Sequence, residues 1–107
     1  MELKENQSIY TRGILTETRP WGKYDVLLDD ENVKVKRITV DPNQRLSYQY
    51  HHKRSEVWTV VSGILTIILD GDKLFRGKGQ SVRIRQGDKH RAWNETDTPV
   101  IFIEVQS

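Results

Sequence analysis

The sequence predicts an all-β domain, an antiparallel sandwich or barrel. Short runs rich in β-branched and aromatic residues follow one another at close intervals, each bounded by Gly, Asp, Asn or Pro. No window long enough for a helix sustains the apolar spacing at three and four that a helix face requires. The DGD stretch at 70–72 is a clear hairpin turn, because Gly71 can take the positive φ that tight hairpins need.

Residues 1–18 are polar and mixed with one short apolar patch, and read as an N-terminal arm or edge strand ahead of a single domain at 19–107. From Arg19 the character changes. RPWGKYDVLLDDENVKVKRITVDPNQ carries two strand-like runs, YDVLL and VKVKRITV, separated by DDEN and closed by DPN. LSYQYH, EVWTVVSG, ILTIILDG, KLFRG, SVRIRQG and PVIFIEVQ follow as further strands. There is no internal repeat, low-complexity tract or linker.

A chain of 107 residues supports one core and not two. Seventeen Lys plus Arg against fifteen Asp plus Glu leave a net charge of +2, without the clustered basic stripe that phosphate-backbone binding needs, so no nucleic-acid partner is expected. The absence of cysteine excludes disulfides, thiolate zinc sites and a cysteine nucleophile. Any metal must be held by His, carboxylate or amide oxygen. The start, MELKENQSIYTRG, is polar where a signal peptide needs an apolar core, and GILTIIL is too short to span a bilayer. A cytoplasmic protein with no membrane partner is therefore expected.

The chemistry concentrates in SYQYHHKRSEVW, at 47–58. On an extended segment Gln49 and His51 share one face while Tyr50 and His52 share the other, so at most one of the adjacent histidines can line a site with Gln49. The intervening KRS lets the chain turn and return Glu56 beside His51. The third histidine, His90, follows a Gly-Asp turn in RQGDKHRAWN.

These two stretches resemble the paired motifs of the cupin superfamily. The first reads Asn43, Gln49, His51, Glu56 and Gly63, and the second Gly79, Arg85, Gly87, His90 and Asn94. Asn43, Gln49 and Arg85 depart from the usual Gly, His and Pro. More specifically, RPWGKYDVL, VKRITVDP, LSYQYHHKRSEVWTVVSG, HRAWN and IEVQS are similar to the cupin domain of type II mannose-6-phosphate isomerases, often fused to a mannose-1-phosphate guanylyltransferase. Of that family's signature, Q-x-H-x-H-R-x-E-H-W-x-V-V-x-G-T, the chain keeps Gln49, His51, Arg54, Glu56, Trp58, Val60, Val61 and Gly63. The resemblance runs from Arg19 to Ser107.

The resemblance implies a cupin double-stranded β-helix, a small antiparallel barrel of jelly-roll type, with a divalent metal, zinc foremost, in its mouth. Gln49, His51, Glu56 and His90 would be the ligands and His52 would lie outside. It implies an isomerase interconverting mannose 6-phosphate and fructose 6-phosphate, by moving a proton between C1 and C2 while the metal acts as a Lewis acid. A phosphorylated sugar needs a fixed cation, and Arg54, Arg91, Lys36 and Arg37, which match positions in the family pattern, are the substrate-binding candidates, one of them to hold phosphate. Only one of Lys36 and Arg37 can point inward, and the apolar pattern switches parity between them without deciding which. The base is unassigned, with Lys53, Arg54 and Lys36 as candidates.

The family has histidines where this chain has Lys53 and Val57, so two imidazoles suited to proton transfer near neutral pH are missing. The family also continues with an acidic tail where this chain stops at Ser107. These departures support an alternative, a non-catalytic module that binds a sugar or sugar phosphate, such as a stand-alone partner of a nucleotidyltransferase. A cupin oxygenase would prefer more histidine ligands. Trp21, Trp58 and Trp93 are expected as core or rim fillers. A homodimer is expected by analogy, with the arm adding an outer strand or a contact that covers a sheet edge.

Overall fold

The computed structural model describes residues 6–107, and the first five residues of the expected arm lie outside that range. Ten strands follow in order: β1 Gln7–Thr11, β2 Ile14–Arg19, β3 Gly22–Asp29, β4 Lys34–Val40, β5 Glu56–Ser62, β6 Leu65–Leu69, β7 Asp72–Arg76, β8 Ser81–Ile84, β9 His90–Trp93 and β10 Val100–Gln106. They form a seven-stranded sheet in the order β1-β2-β3-β4-β10-β5-β8 and a three-stranded sheet in the order β7-β6-β9. All named pairs are antiparallel. This is the expected cupin double-stranded β-helix, and among the described residues no helix is long and apolar enough to cross a membrane.

Period-two alternation builds the core. Val100 and Phe102 of β10, Ile38 and Val40 of β4, and Trp58 and Val60 of β5 face inward against Leu65 and Ile67 of β6 and Ala92 of β9. Each of the Val, Leu, Ile and Phe side chains among them, removed from water, contributes on the order of 1.5–3 kcal/mol before chain entropy is set against it. The turn between β6 and β7 is built as expected, with Asp70 and Gly71 both at positive φ (48° and 85°), as a two-residue hairpin of matching twist requires.

Residues 7–19 form a hairpin, β1 and β2, laid against β3 with β1 at the sheet edge. Its turn, Arg12-Gly13, also has both residues at positive φ, but Arg12 is no turn signal in the sequence. Two strand expectations need correction. LSYQYH forms no continuous strand: within it only Gln49 bridges, to His90, while the preceding Arg45 bridges Trp93 and Leu46 N–H donates to the Ala92 carbonyl at 3.0 Å. Conversely HRAW, not read as a strand, is β9, short and bounded by Asp88 and Asn94.

The parity question at β4 is settled by Val35. The irregularity lies in β3, between Val26 and Leu28, and β4 runs regularly with Val35 left on the outer face. Lys36 therefore shares the inner face with Ile38 and Val40, and Arg37 turns outward to Asp25 at 2.8 Å.

Gly22 permits a close backbone approach, since a Cβ there would overlap the Thr39 carbonyl oxygen. Asn94, from the second motif, is a structural clamp. It is fully buried, and its amide nitrogen lies 3.0, 3.2 and 2.8 Å from the carbonyls of Val40, Asp41 and Thr98, while its oxygen accepts from Thr96 N–H and Oγ1. Asn94→Ala strands several buried acceptors and donors at once. It is expected to cost about 3 kcal/mol or more in urea unfolding, and a loss below ~1 kcal/mol would show that these loops close without it.

Candidate functional site

The inner face of the large sheet changes from apolar to polar along the strands. Register places Ile38, Phe102 and Val60 in one row, then Lys36, Glu104 and Trp58, then Lys34, Gln106 and Glu56. Polar side chains thus accumulate at one end of the barrel, where Lys36, Glu104, Gln106 and Glu56 line a pocket of about 220 Å³. Alternation alone carries Glu56, Glu104 and Gln106 inside, since Trp58 and Phe102 occupy the same face.

The small sheet closes the site from the other side. Gln49 and His90 exchange backbone hydrogen bonds at 2.9 and 2.8 Å, and Gly87 N–H donates to the His51 carbonyl at 2.8 Å. These bonds bring SYQYHH against the start of β9. His51, Glu56 and His90 each present a ligand atom, and the three atoms lie within 4.8 Å of one another. The His51 and His90 ring centroids are 5.2 Å apart.

The proton arrangement suits metal binding. His90 Nδ1 lies 2.9 Å from the Asp88 carbonyl, which can only accept, so Nδ1 donates there and Nε2 is the nitrogen left for a metal. Arg54 donates to His51 Nε2 at 2.9 Å, which makes that nitrogen an acceptor as well. Burial, then the Arg54 charge, holds the His51 ring below its ordinary pKa and so favours the neutral form. Gln49 donates its amide N–H to Ser47 Oγ at 2.8 Å and retains its oxygen as an acceptor at the pocket wall. The two imidazoles and the carboxylate converge as a donor set that suits a divalent ion, and Gln49 shares their pocket wall.

Glu56 is 2% exposed and surrounded by donors. Its Oε1 accepts from Trp58 Nε1 at 2.8 Å, and its Oε2 from Arg54 Nε at 3.1 Å. Trp58 Nε1 also lies 3.2 Å from Glu104 Oε1, and Gln106 donates to Glu104 Oε2 at 2.9 Å. Burial, then the neighbouring Glu56, pushes the Glu104 carboxyl up to about 8. Burial also works upward on Glu56, but hydrogen bonds from Glu104 and Trp58 outweigh it and hold Glu56 below its ordinary value. The pair therefore holds one proton, on Glu104.

A cationic wall faces this pair. Lys36, Arg19, Arg54 and Arg91 all line the pocket. Lys36 Nζ stands 4.4 Å over the Tyr24 ring and Arg19 5.2 Å from its centroid. The Tyr24 hydroxyl donates to Glu17, whose carboxylate lies 3.4 Å from the Arg19 guanidinium. Arg91 donates from Nε to the Leu46 carbonyl at 2.8 Å. Burial draws the Lys36 amine below its ordinary value.

Of the residues expected from sequence, the pocket collects Gln49, His51, Glu56, His90, Arg54, Arg91 and Lys36. Arg37 does not belong with them, for it lies outside with Asp25. Lys53 is exposed in the loop and absent from the pocket wall, so it is no candidate base. Val57 is 40% exposed on the outer face, opposite in parity to Glu56 and Trp58, so a histidine there would not reach the pocket either. His52 stacks edge-on against Tyr50, ring centroids 4.9 Å apart, away from the site. Glu104, Gln106, Arg19 and Tyr24 escaped the sequence reading. Counting by twos from Phe102 through PVIFIEVQ finds Glu104 and Gln106, but apolar residues on both faces of that run hide the choice.

Glu104 binds its proton more tightly folded than unfolded, so its contribution to stability is complete below pH 4.5 and lost as pH rises through about 8. In chelator-treated protein, unfolding free energy is expected to fall across that window by up to ~1.4 kcal/mol per pH unit. Glu104→Gln, whose amide can still donate to Glu56, should flatten the slope. An unchanged slope in the variant would place the shared proton elsewhere.

The chain matches known proteins along nearly its whole length. The model of the family described as mannose-6-phosphate isomerase C-terminal matches residues 4–107. Mannose-1-phosphate guanylyltransferase of Escherichia coli (strain K12) is 44% identical over 89 residues, which are 83% of this chain and 19% of that protein. The chain thus spans about a fifth of the length of that relative. A double-stranded β-helix protein from Klebsiella pneumoniae superposes with a TM-score of 0.73 at 25% identity, covering 77% of this chain and 72% of that one. A cupin-superfamily sugar phosphate isomerase from Silicibacter pomeroyi superposes with a TM-score of 0.69 at 22% identity, covering 78% and 59%. With the fold, the inward-facing signature residues and the match over 4–107 in agreement, the chain belongs to the mannose-6-phosphate isomerase C-terminal family of cupins.

Proposed function

We propose that this chain is a metal-holding cupin module that binds a sugar phosphate, the counterpart of the cupin part of mannose-1-phosphate guanylyltransferases. The observation that carries the reading is the pocket wall itself, where Lys36, Arg19, Arg54 and Arg91 surround a His51–Glu56–His90 group that suits a divalent ion. Cations there suit phosphate and the buried carboxylates suit hydroxyls, which a phosphorylated sugar offers together. Its similarity to one part of the guanylyltransferases supports a working partnership with a nucleotidyltransferase, and the exposed β1 edge, with Ile9 and Tyr10 outward, supports pairing of two copies.

Isomerisation of mannose 6-phosphate is the second reading, favoured by Glu104, a buried carboxylic acid at the pocket wall that faces Lys36 across the β4–β10 register. Gln49, His51, Glu56 and His90 would hold the metal, which supplies a Lewis acid for the sugar oxygens when bound. Lys36 would position the phosphate or an anionic oxygen.

Calorimetric titration of zinc-loaded protein with mannose 6-phosphate and mannose 1-phosphate separates these readings. Binding without conversion to fructose 6-phosphate supports the module, and conversion selects the isomerase. Lys36→Ala is expected to weaken sugar-phosphate binding about tenfold or more, the loss of a charged hydrogen bond. Failure of the wild-type protein to bind either compound would sink both readings.

A further inference from the structure

The Arg54 guanidinium makes two contacts at once, Nη2 to His51 Nε2 at 2.9 Å and Nε to Glu56 Oε2 at 3.1 Å. His51 and Glu56 are two of the three residues that converge as a metal-holding group, and the two atoms Arg54 touches lie 3.5 Å from each other. Glu56 Oε2 has a second lone pair to share, but an imidazole nitrogen has one, in the ring plane. His51 Nε2 can therefore accept from Arg54 or coordinate a cation, and not both. A guanidinium at that distance also opposes an incoming divalent ion by like charge. The Arg54 side chain is 38% exposed while Glu56 is 2% exposed, so the arginine is the partner with room to move.

We propose that Arg54 is an internal competitor for the metal site, occupying the His51–Glu56 edge and yielding it to a divalent ion. Displacement swings a half-exposed guanidinium from the edge of the ligand set toward the pocket mouth, where its planar fork is free to receive an anionic group such as phosphate. Metal loading and anion binding then reinforce each other through one side chain. The inference rests on the metal reading of His51, Glu56 and His90, and it adds a residue that sets the affinity of that site.

The test is metal affinity, independent of turnover. Zinc binding is measured by competition with a chromophoric chelator, and cobalt binding by its visible absorption, in wild type, Arg54→Gln and Arg54→Lys. Removing the guanidinium is expected to tighten zinc binding about tenfold or more, the worth of a charged hydrogen bond no longer to be broken. Arg54→Lys keeps a positive charge near Glu56 but cannot span both atoms with a rigid fork. It should also bind zinc more tightly than wild type, and it guards against a Gln variant that folds poorly. Wild-type loading with equal or weaker affinity in both variants overturns the competition. Absence of metal binding in all three proteins would remove the metal reading together with it.

Discussion

Glu56 is a carboxylate held almost wholly out of water, and the site is organised around making that tolerable. An isolated charge so placed would cost several kcal/mol, so it must be surrounded by donors and cations or lose its charge. Trp58, Arg54 and the protonated Glu104 are those partners, and each is delivered by a different structural device. Trp58 comes from the same strand two residues on, Glu104 from the neighbouring strand by register, and Arg54 from the loop that precedes β5. A change in one alters the conditions under which the others hold their protons and positions.

The same inward row explains why a barrel this small has a site at one end only. Inner positions of β4, β5 and β10 are apolar where the β6 and β9 side chains cross beneath them, and polar where the barrel opens. Phe102, Ile38 and Val60 form the packed part, and one residue pair further along each strand the side chains become Glu104, Lys36 and Trp58. The apolar layer is the rigid base on which the polar one is positioned, since closely packed side chains leave little freedom to the strands that carry both.

Much of this was legible because strand alternation is a strict rule. The all-β character, the DGD hairpin, the pairing of Gln49 with His51 and the exclusion of His52 all follow from period two and turn chemistry. What escaped was set by neighbours that local sequence does not name. LSYQYH has strand-like composition but meets β9 without a continuous ladder, and HRAW became a strand because β6 lies beside it. Lys36 and Arg37 could not be told apart while an irregularity in β4 was conceivable, and the irregularity falls in β3 instead. Glu104 was hidden by a run that is apolar on both faces.

The departures from the family signature carry a different weight once sides are assigned. A histidine at position 57 would stand on the outer face of β5, and one at 53 in an exposed loop, so neither replacement strips an imidazole from the pocket wall. Lys53 and Val57 therefore do not argue against catalysis, as they would on spacing alone. The groups that can separate a binding module from an isomerase are inner-row ones that this chain possesses, Lys36 and Glu104, placed opposite each other across β4 and β10. On the isomerase reading, the protonated Glu104 beside an ionised neighbour and the Lys36 amine, drawn below its ordinary pKa by burial, would be the groups that exchange protons with a bound sugar. The balance between the two readings thus rests on the distance between that pair and the reacting carbons of the sugar.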